Sequence, residues 1–285
     1  MKLIRYGQAD QEKPGVLIDD TRYDVSAYID DYNETFFTNN GIQRLETLLA
    51  DKKSDLIKVA GDIRLGSPIA RPSKIVCVGL NYTDHAIEVG AKIPSEPVIF
   101  IKSNTALNGP NDAITIPQGS EKTDWETELA VVIGKKASYI KEADVKNYIA
   151  GYVLHNDVSE RAFMFERNGT WDKGKGCDTF APIGPYIVTP DEMPDIDNLH
   201  IWLKLNGELM QNGTTADMIF KTHYLVAYIT QFMTLLPGDI VSTGTPAGSG
   251  IGLKPPVFLK PGDIMELGID GLGSQRQTVQ AYGQV

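Results

Sequence analysis

The stretch Asp124-Trp125-Glu126-Thr127-Glu128 runs directly into the apolar Leu129-Ala130-Val131-Val132-Ile133. An apolar run of this length reads as a strand, and in an extended chain alternate side chains share a face. Asp124, Glu126 and Glu128 would then point the same way. Like charges that close repel one another and raise their own pKa values, so the arrangement is unfavourable unless cations neutralise it. A hard divalent metal is the simplest such cation. The same alternation also fits acids that merely decorate a solvent-facing strand.

Other short strands flank this one. Lys2 to Tyr6 and Gly15 to Ile18 precede an amphipathic stretch, Ile42 to Leu49, with helical spacing. Gly66-Ser67-Pro68 and Arg71-Pro72 then punctuate the chain, because a residue before proline is pushed out of the helical region, and a domain boundary is expected there. Beyond it, strands are expected at Lys74 to Leu80, Val98 to Ile101, Ile149 to Leu154, Tyr186 to Val188 and Ile201 to Leu205, with a short polar helix from Thr83 to Glu88. Leu236-Pro237-Gly238-Asp239 and Lys260-Pro261-Gly262-Asp263 each place a Pro-Gly turn before a strand, which suggests a β-rich, curled sheet. The clearest long helix is expected from Asp217 to Thr234.

With 285 residues, 42% hydrophobic and 22% charged, the chain is long enough for a sizeable core and has an ordinary globular composition. A net charge of -10 argues against a nucleic-acid partner, which would require clustered Lys and Arg. No apolar run approaches the roughly 20 residues that span a bilayer, and Met1 to Gly7 contains no signal-peptide core, so the expected location is cytoplasmic, without a membrane partner. Cys77 and Cys177 are the only cysteines and form no C-x-x-C pair, which disfavours disulfide frameworks and thiolate metal sites.

A third acid, Asp157 in His155-Asn156-Asp157-Val158-Ser159, ends another apolar strand. Glu126, Glu128 and Asp157 together would supply oxygen ligands suited to Mg²⁺ or Mn²⁺, with Asp124 as an outer acceptor. His85 and Glu88, three residues apart on a helix, share a face, so the carboxylate can hold one ring nitrogen and leave the other basic. An exposed i,i+3 pair would have the same spacing. Arg161 and Lys175 are candidate anchors for an anionic substrate, although by sequence alone either reads more readily as a surface charge, and Lys102 and Lys122 are further candidate cations. The Gly-rich segment Ser242 to Gly252 lacks the Gly-Lys-Ser/Thr ending of a nucleotide loop, and Lys254-Pro255-Pro256 blocks the helix such a loop needs. It reads as a tight loop in which Thr245 offers a hydroxyl.

These motifs resemble, in order, those of the fumarylacetoacetate hydrolase family. They are Val78-Gly79-Leu80-Asn81-Tyr82-Thr83-Asp84-His85, Trp125-Glu126-Thr127-Glu128, Asn156-Asp157-Val158-Ser159, Lys175-Gly176-Cys177-Asp178-Thr179, Gly184-Pro185 and Thr243-Gly244-Thr245-Pro246-Ala247-Gly248. The resemblance implies an α+β, β-rich fold: a mixed β-roll catalytic domain over residues 71–285, a small N-terminal domain over 1–70, and a homodimer. It also implies Mg²⁺ or Mn²⁺ on Glu126, Glu128 and Asp157, water activation by His85 and Glu88 on a lid helix, and oxo-acid contacts from Arg161, Lys175 and Thr245. Met164 stands where some relatives that act on acylpyruvates carry Gln. The strings Gly119 to Glu126 and Ser159 to Phe163 are similar to those of members acting on 2,4-diketo-3-deoxy sugar acids, such as L-2,4-diketo-3-deoxyrhamnonate hydrolase.

The expected activity is hydrolytic carbon–carbon cleavage of a 2,4-diketo acid to pyruvate and a second acid such as lactate. Isomerase, hydratase or oxaloacetate decarboxylase chemistry is the alternative within the family, since a fold does not fix a reaction. A non-catalytic oxo-acid-binding protein is the alternative outside it.

Overall fold

The apolar run after the acids is a seven-residue strand, Thr127–Ile133, every residue of which is buried. It lies in a computed structural model that describes residues 1–193 and 195–284. On one side it pairs antiparallel with Ile149–Asn156, itself buried throughout, and on the other with Ile240–Ser242. Both faces of these central strands are covered, which is why they read as continuous apolar runs rather than alternating ones.

From this centre the sheet grows to eleven strands. Ile240–Ser242 pairs parallel with Ile75–Gly79, and that strand pairs antiparallel with the edge strand Val98–Lys102, so the sheet is mixed. On the far side Ile149–Asn156 meets Ile187–Val188, which meets Lys2–Tyr6, and the ladder continues through Lys13–Ile18, Thr21–Asp24 and Ile57–Val59. The hydrogen-bonded path therefore passes unbroken between the first seventy residues and the remainder.

A second sheet of five strands runs in the order Glu208–Thr214, His200–Leu205, Ile264–Ile269, Gly273–Ala281, Ile114–Ile116. Buried glutamines tie it to the first sheet. Gln211 Oε1 accepts from the Thr127 N–H at 3.0 Å, Gln275 Nε2 donates to the Leu154 carbonyl at 3.0 Å, and Gln277 Oε1 accepts from Asn156 Nδ2 at 3.1 Å. These glutamines are tolerated in the interior because each of them finds hydrogen-bond partners. With short helices around these sheets, the fold is α+β and β-rich, as expected.

Both Pro-Gly turns form on one plan. Gly238 and Gly262 take positive φ angles of 88° and 96°, and the following aspartates close the turns: Asp239 accepts from the Leu236 N–H and Asp263 from the Lys260 N–H, each at 2.7 Å. The Thr83–Glu88 helix has the expected limits, and the Ile42 to Leu49 stretch widens to Gly41–Lys52. The long helix expected from Asp217 to Thr234 is instead Thr222–Ile229, preceded by a 3₁₀ turn at Thr215–Asp217. Asn81 is the physical reason at its start. Its backbone carbonyl accepts from the Ile219 N–H, and its side chain bonds both the N–H and the carbonyl of Phe220, so these backbone groups are not free for a helix. At the other end Thr230 accepts from the backbones of Tyr139 and Ile140. Among the described residues no helix is long and apolar enough to cross a membrane.

The join between the N-terminal strands and the centre leaves no room for a side chain at Gly151. A Cβ there would lie 2.5 Å from the Val188 carbonyl oxygen. Gly151→Ala is expected to lower stability by about 1–3 kcal/mol in urea unfolding, the usual cost of overpacking.

Candidate metal centre and cleft

Glu126 and Glu128 stand at the start of the central strand, and Asp157 follows the last residue of its neighbour. Thr127 pairs with Asn156 in register, and the Asp157 N–H donates to the Glu126 carbonyl at 2.8 Å, which brings the three acids to one end of the ladder. One carboxylate oxygen from each lies within 4.8 Å of the others, and all three side chains are buried. The solvent-facing alternative is thereby excluded.

Asp124 departs from the expected continuous strand. Thr123–Asp124 forms its own two-stranded pair with Ser159–Glu160, and the chain turns at Trp125 before the main strand begins. The Asp124 carboxylate accepts from Arg161 Nε at 2.9 Å and from the N–H groups of Gly250 and Ile251 at 2.6 and 3.0 Å.

Three buried cations answer these acids. Arg161 Nη2 donates to Glu126 Oε1 at 2.6 Å, and Lys175 Nζ bridges Glu126 Oε2 and Asp157 Oδ2 at 2.6 and 2.7 Å. Lys102 Nζ donates to Asp157 Oδ1 at 2.5 Å and to the Val158 carbonyl at 2.9 Å. Burial pushes the Glu126 carboxyl up, but Arg161 and Lys175 outweigh it and hold the group down at about 2. Asp157 is likewise held well below the carboxylate range, burial being outweighed by Lys102 and Lys175. Those pairs act in reverse on Lys175: burial disfavours its charge, and Asp157 with Glu126 restores it.

Glu128 is different. It forms no ion pair among the described residues, and its Oε2 accepts only from the Ser242 hydroxyl at 2.5 Å and the Gly244 N–H at 3.0 Å. Burial, then Asp157 and Glu126, push its carboxyl well above its ordinary value. A buried carboxylate without a cation, with an oxygen of each of two other buried acids within 4.8 Å, fits a divalent ion.

The helix carrying His85 and Glu88 closes over this end. His85 Nδ1 lies 3.4 Å from Glu88 Oε2, and Glu88 Oε1 accepts from the Gly248 N–H at 2.9 Å. His85, Glu126, Glu128, Arg161, Lys175 and Thr245 all line one cleft. Its remaining wall is apolar and includes Val89, Phe100, Met164, Phe165, Trp171 and Ile251. Phe100 and Trp171 meet edge to face at 5.3 Å, and Lys175 Nζ lies 4.8 Å from the centre of the Phe100 ring.

Two expected substrate contacts are corrected. Lys122, just before the short Thr123–Asp124 strand, is exposed and paired with Glu166, and it does not line the cleft. Lys102 is fully buried with its charge committed to Asp157, and it does not line the cleft. Thr245 does line the cleft, with its hydroxyl donating to the Thr127 carbonyl at 2.9 Å and accepting from Gln211 at 2.8 Å.

The Gly-rich segment does more than turn. Its backbone N–H groups at Gly244, Gly248, Gly250 and Ile251 hold Glu128, Glu88 and Asp124. Its sequence signal, a run of glycines, shows that backbone approaches closely but not to what. His155 was also missed. It is fully buried, its Nδ1 lies 2.7 Å from Ser242 Oγ, and burial pushes its pKa down to about 3.

The chain is similar to known proteins along its length. The model of the fumarylacetoacetate (FAA) hydrolase C-terminal family matches residues 74–280. A Burkholderia multivorans relative, provisionally named a hydrolase, is 50% identical over 283 residues, covering 99% of each chain. The crystal structure of 2-hydroxyhepta-2,4-diene-1,7-dioate isomerase from Mycobacterium marinum superposes with a TM-score of 0.77 at 32% identity, covering 100% of both chains. Maleylpyruvate hydrolase from Sphingobium sp. SYK-6, solved with manganese(II) and pyruvate, gives a TM-score of 0.82 at 28% identity over 99% of each.

Because Glu128 is a buried acid without a cation, Glu128→Gln is expected to stabilise the protein in chelator, by on the order of 1–3 kcal/mol. The same substitution is expected to remove the rise in Tm that Mn²⁺ gives the unaltered chain, as read by melting with and without the ion.

Proposed function

The chain belongs to the fumarylacetoacetate hydrolase family, and on that premise we propose that it is a divalent-metal-dependent hydrolase that cleaves the carbon–carbon bond of a 2,4-diketo acid. Water and R-CO-CH₂-CO-COO⁻ would give R-COO⁻, pyruvate and one proton. The observation that carries the reading is a single cleft in which Glu126 and Glu128 of the buried acid triad meet the His85–Glu88 pair. Glu126, Glu128 and Asp157 would hold Mg²⁺ or Mn²⁺, which when bound supplies Lewis acidity toward the oxo-acid and stabilises negative charge on a departing enolate.

The remaining work falls to side chains of this protein. Glu88 holds His85 through Nδ1, leaving Nε2 to take the proton of a water that attacks the C4 carbonyl. Lys175 is kept charged by its acidic neighbours and is placed to return a proton to the enolate carbon. Four carboxylates, from Asp124, Glu126, Glu128 and Asp157, face three cations, from Lys102, Arg161 and Lys175. A divalent ion turns that one-charge deficit into a one-charge surplus, which suits an anionic substrate.

The apolar wall of Val89, Met164, Phe165 and Trp171 supports a substrate whose acyl half is a hydrocarbon rather than a chain of hydroxyls. The likeness to an isomerase makes isomerisation the second reading, and that reaction needs no attacking water.

Incubation of 2,4-diketo acids with Mg²⁺ and mass analysis of the products tests the proposal. Pyruvate plus a simple carboxylic acid is the expected result, pyruvate plus lactate would point to the deoxy-sugar acids, and a product of unchanged mass would establish isomerisation. His85→Ala is expected to lower kcat by about 10²–10⁴-fold while Mn²⁺ and pyruvate still bind. Loss of binding with chemistry retained would reverse the assignment.

A further inference from the structure

Glu128, Ser242 and His155 come from three adjacent strands of the large sheet. Glu128 faces His155 in register across one ladder, and Ser242 faces Ala130 across the other. Residues 128 and 130 share a face, so all three side chains rise from the same side of the sheet. Each is at most 1% exposed. Ser242 Oγ lies 2.5 Å from Glu128 Oε2 and 2.7 Å from His155 Nδ1.

Proton counting gives this chain a direction. A metal-ligating carboxylate is ionised and can only accept, so the single hydroxyl proton of Ser242 must point to Glu128. The serine oxygen must then accept, and the donor is the N–H at Nδ1 of His155. Among the described residues His155 Nε2 has no hydrogen-bond partner, so Ser242 is the only polar tie of the ring there. Burying an imidazole costs more than burying an apolar ring of the same size, and packing alone does not account for a histidine here.

We propose that Ser242 and His155 are positioning residues that orient Glu128 as a metal ligand, a role that rests on the metal reading of the acid triad. Charged donors hold Glu126 and Asp157 and spend part of their negative charge. The Ser242–His155 relay holds Glu128 with neutral donors. It fixes Oε2 in place, and the charge of the carboxylate stays available to a cation. Outer partners of this kind typically change metal affinity by about 10–100-fold.

The test is a Mn²⁺ titration followed by the electron paramagnetic resonance signal of the free ion, with melting in chelator as a check on folding. Ser242→Ala and His155→Leu are expected to weaken Mn²⁺ binding about 10–100-fold. His155→Asn, whose side-chain amide can donate from nearly the position of Nδ1, is expected to recover most of the loss, which a purely structural role would not produce. Nitrogen NMR of the Mg²⁺-loaded protein is expected to find the His155 proton on Nδ1. Unchanged affinity in a folded His155→Leu protein, or a bare Nδ1, would overturn the relay alone. Absence of Mn²⁺ binding in the unaltered chain would overturn the metal reading and the relay with it.

Discussion

The structure depends on keeping like charges close together inside a sheet. Four carboxylates at one end of the central ladder would repel one another if left alone, and Lys102, Arg161 and Lys175 arrive from three separate segments to offset them. Each cation is placed by its own local structure. Arg161 opens a short helix capped by the Glu160 side chain, Lys175 ends another, and Lys102 closes the edge strand. Removing one partner of such a pair leaves a buried charge uncompensated, so the cluster resists piecemeal change.

The compensation is uneven, and that asymmetry is where the chemistry enters. Asp124, Glu126 and Asp157 receive the direct ion pairs, whereas Glu128 receives neutral donors only. A set balanced throughout would have little to gain from an ion. One left short of positive charge would retain affinity for it, and the surplus created on binding would then be presented to the cleft. Beside it stands the apolar wall of Phe100, Trp171 and Met164, and electrostatic contacts are stronger in such a low-dielectric surround than in water.

Much of this was legible in the sequence. Alternation alone puts Glu126 and Glu128 on one face, and the spacing of His85 and Glu88 yields the observed contact. The Pro-Gly-Asp turns carry their own chemistry and form as their residues dictate. What escaped depends on contacts between residues distant in sequence or on main-chain groups. Lys102 reads as a substrate contact until the sheet brings it against Asp157, 55 residues further on. The shortened helix depends on Asn81, 139 residues from the backbone it captures. The Gly-rich loop acts through main-chain N–H groups, which a reading of side chains overlooks.

The place of Lys102 has a consequence for motion. Val98–Lys102 is the outermost strand at its end of the large sheet, where no further strand protects the backbone, and such borders are the first to open in native-state fluctuations. A border that carries a buried counter-charge at its last residue cannot fray freely, because release of Lys102 would expose Asp157 to its unbalanced neighbours. A divalent ion at the centre would relieve the same deficit and make release of Lys102 less costly, so rim opening and ion occupancy would be thermodynamically linked, and amide exchange along this strand would quicken as the ion binds.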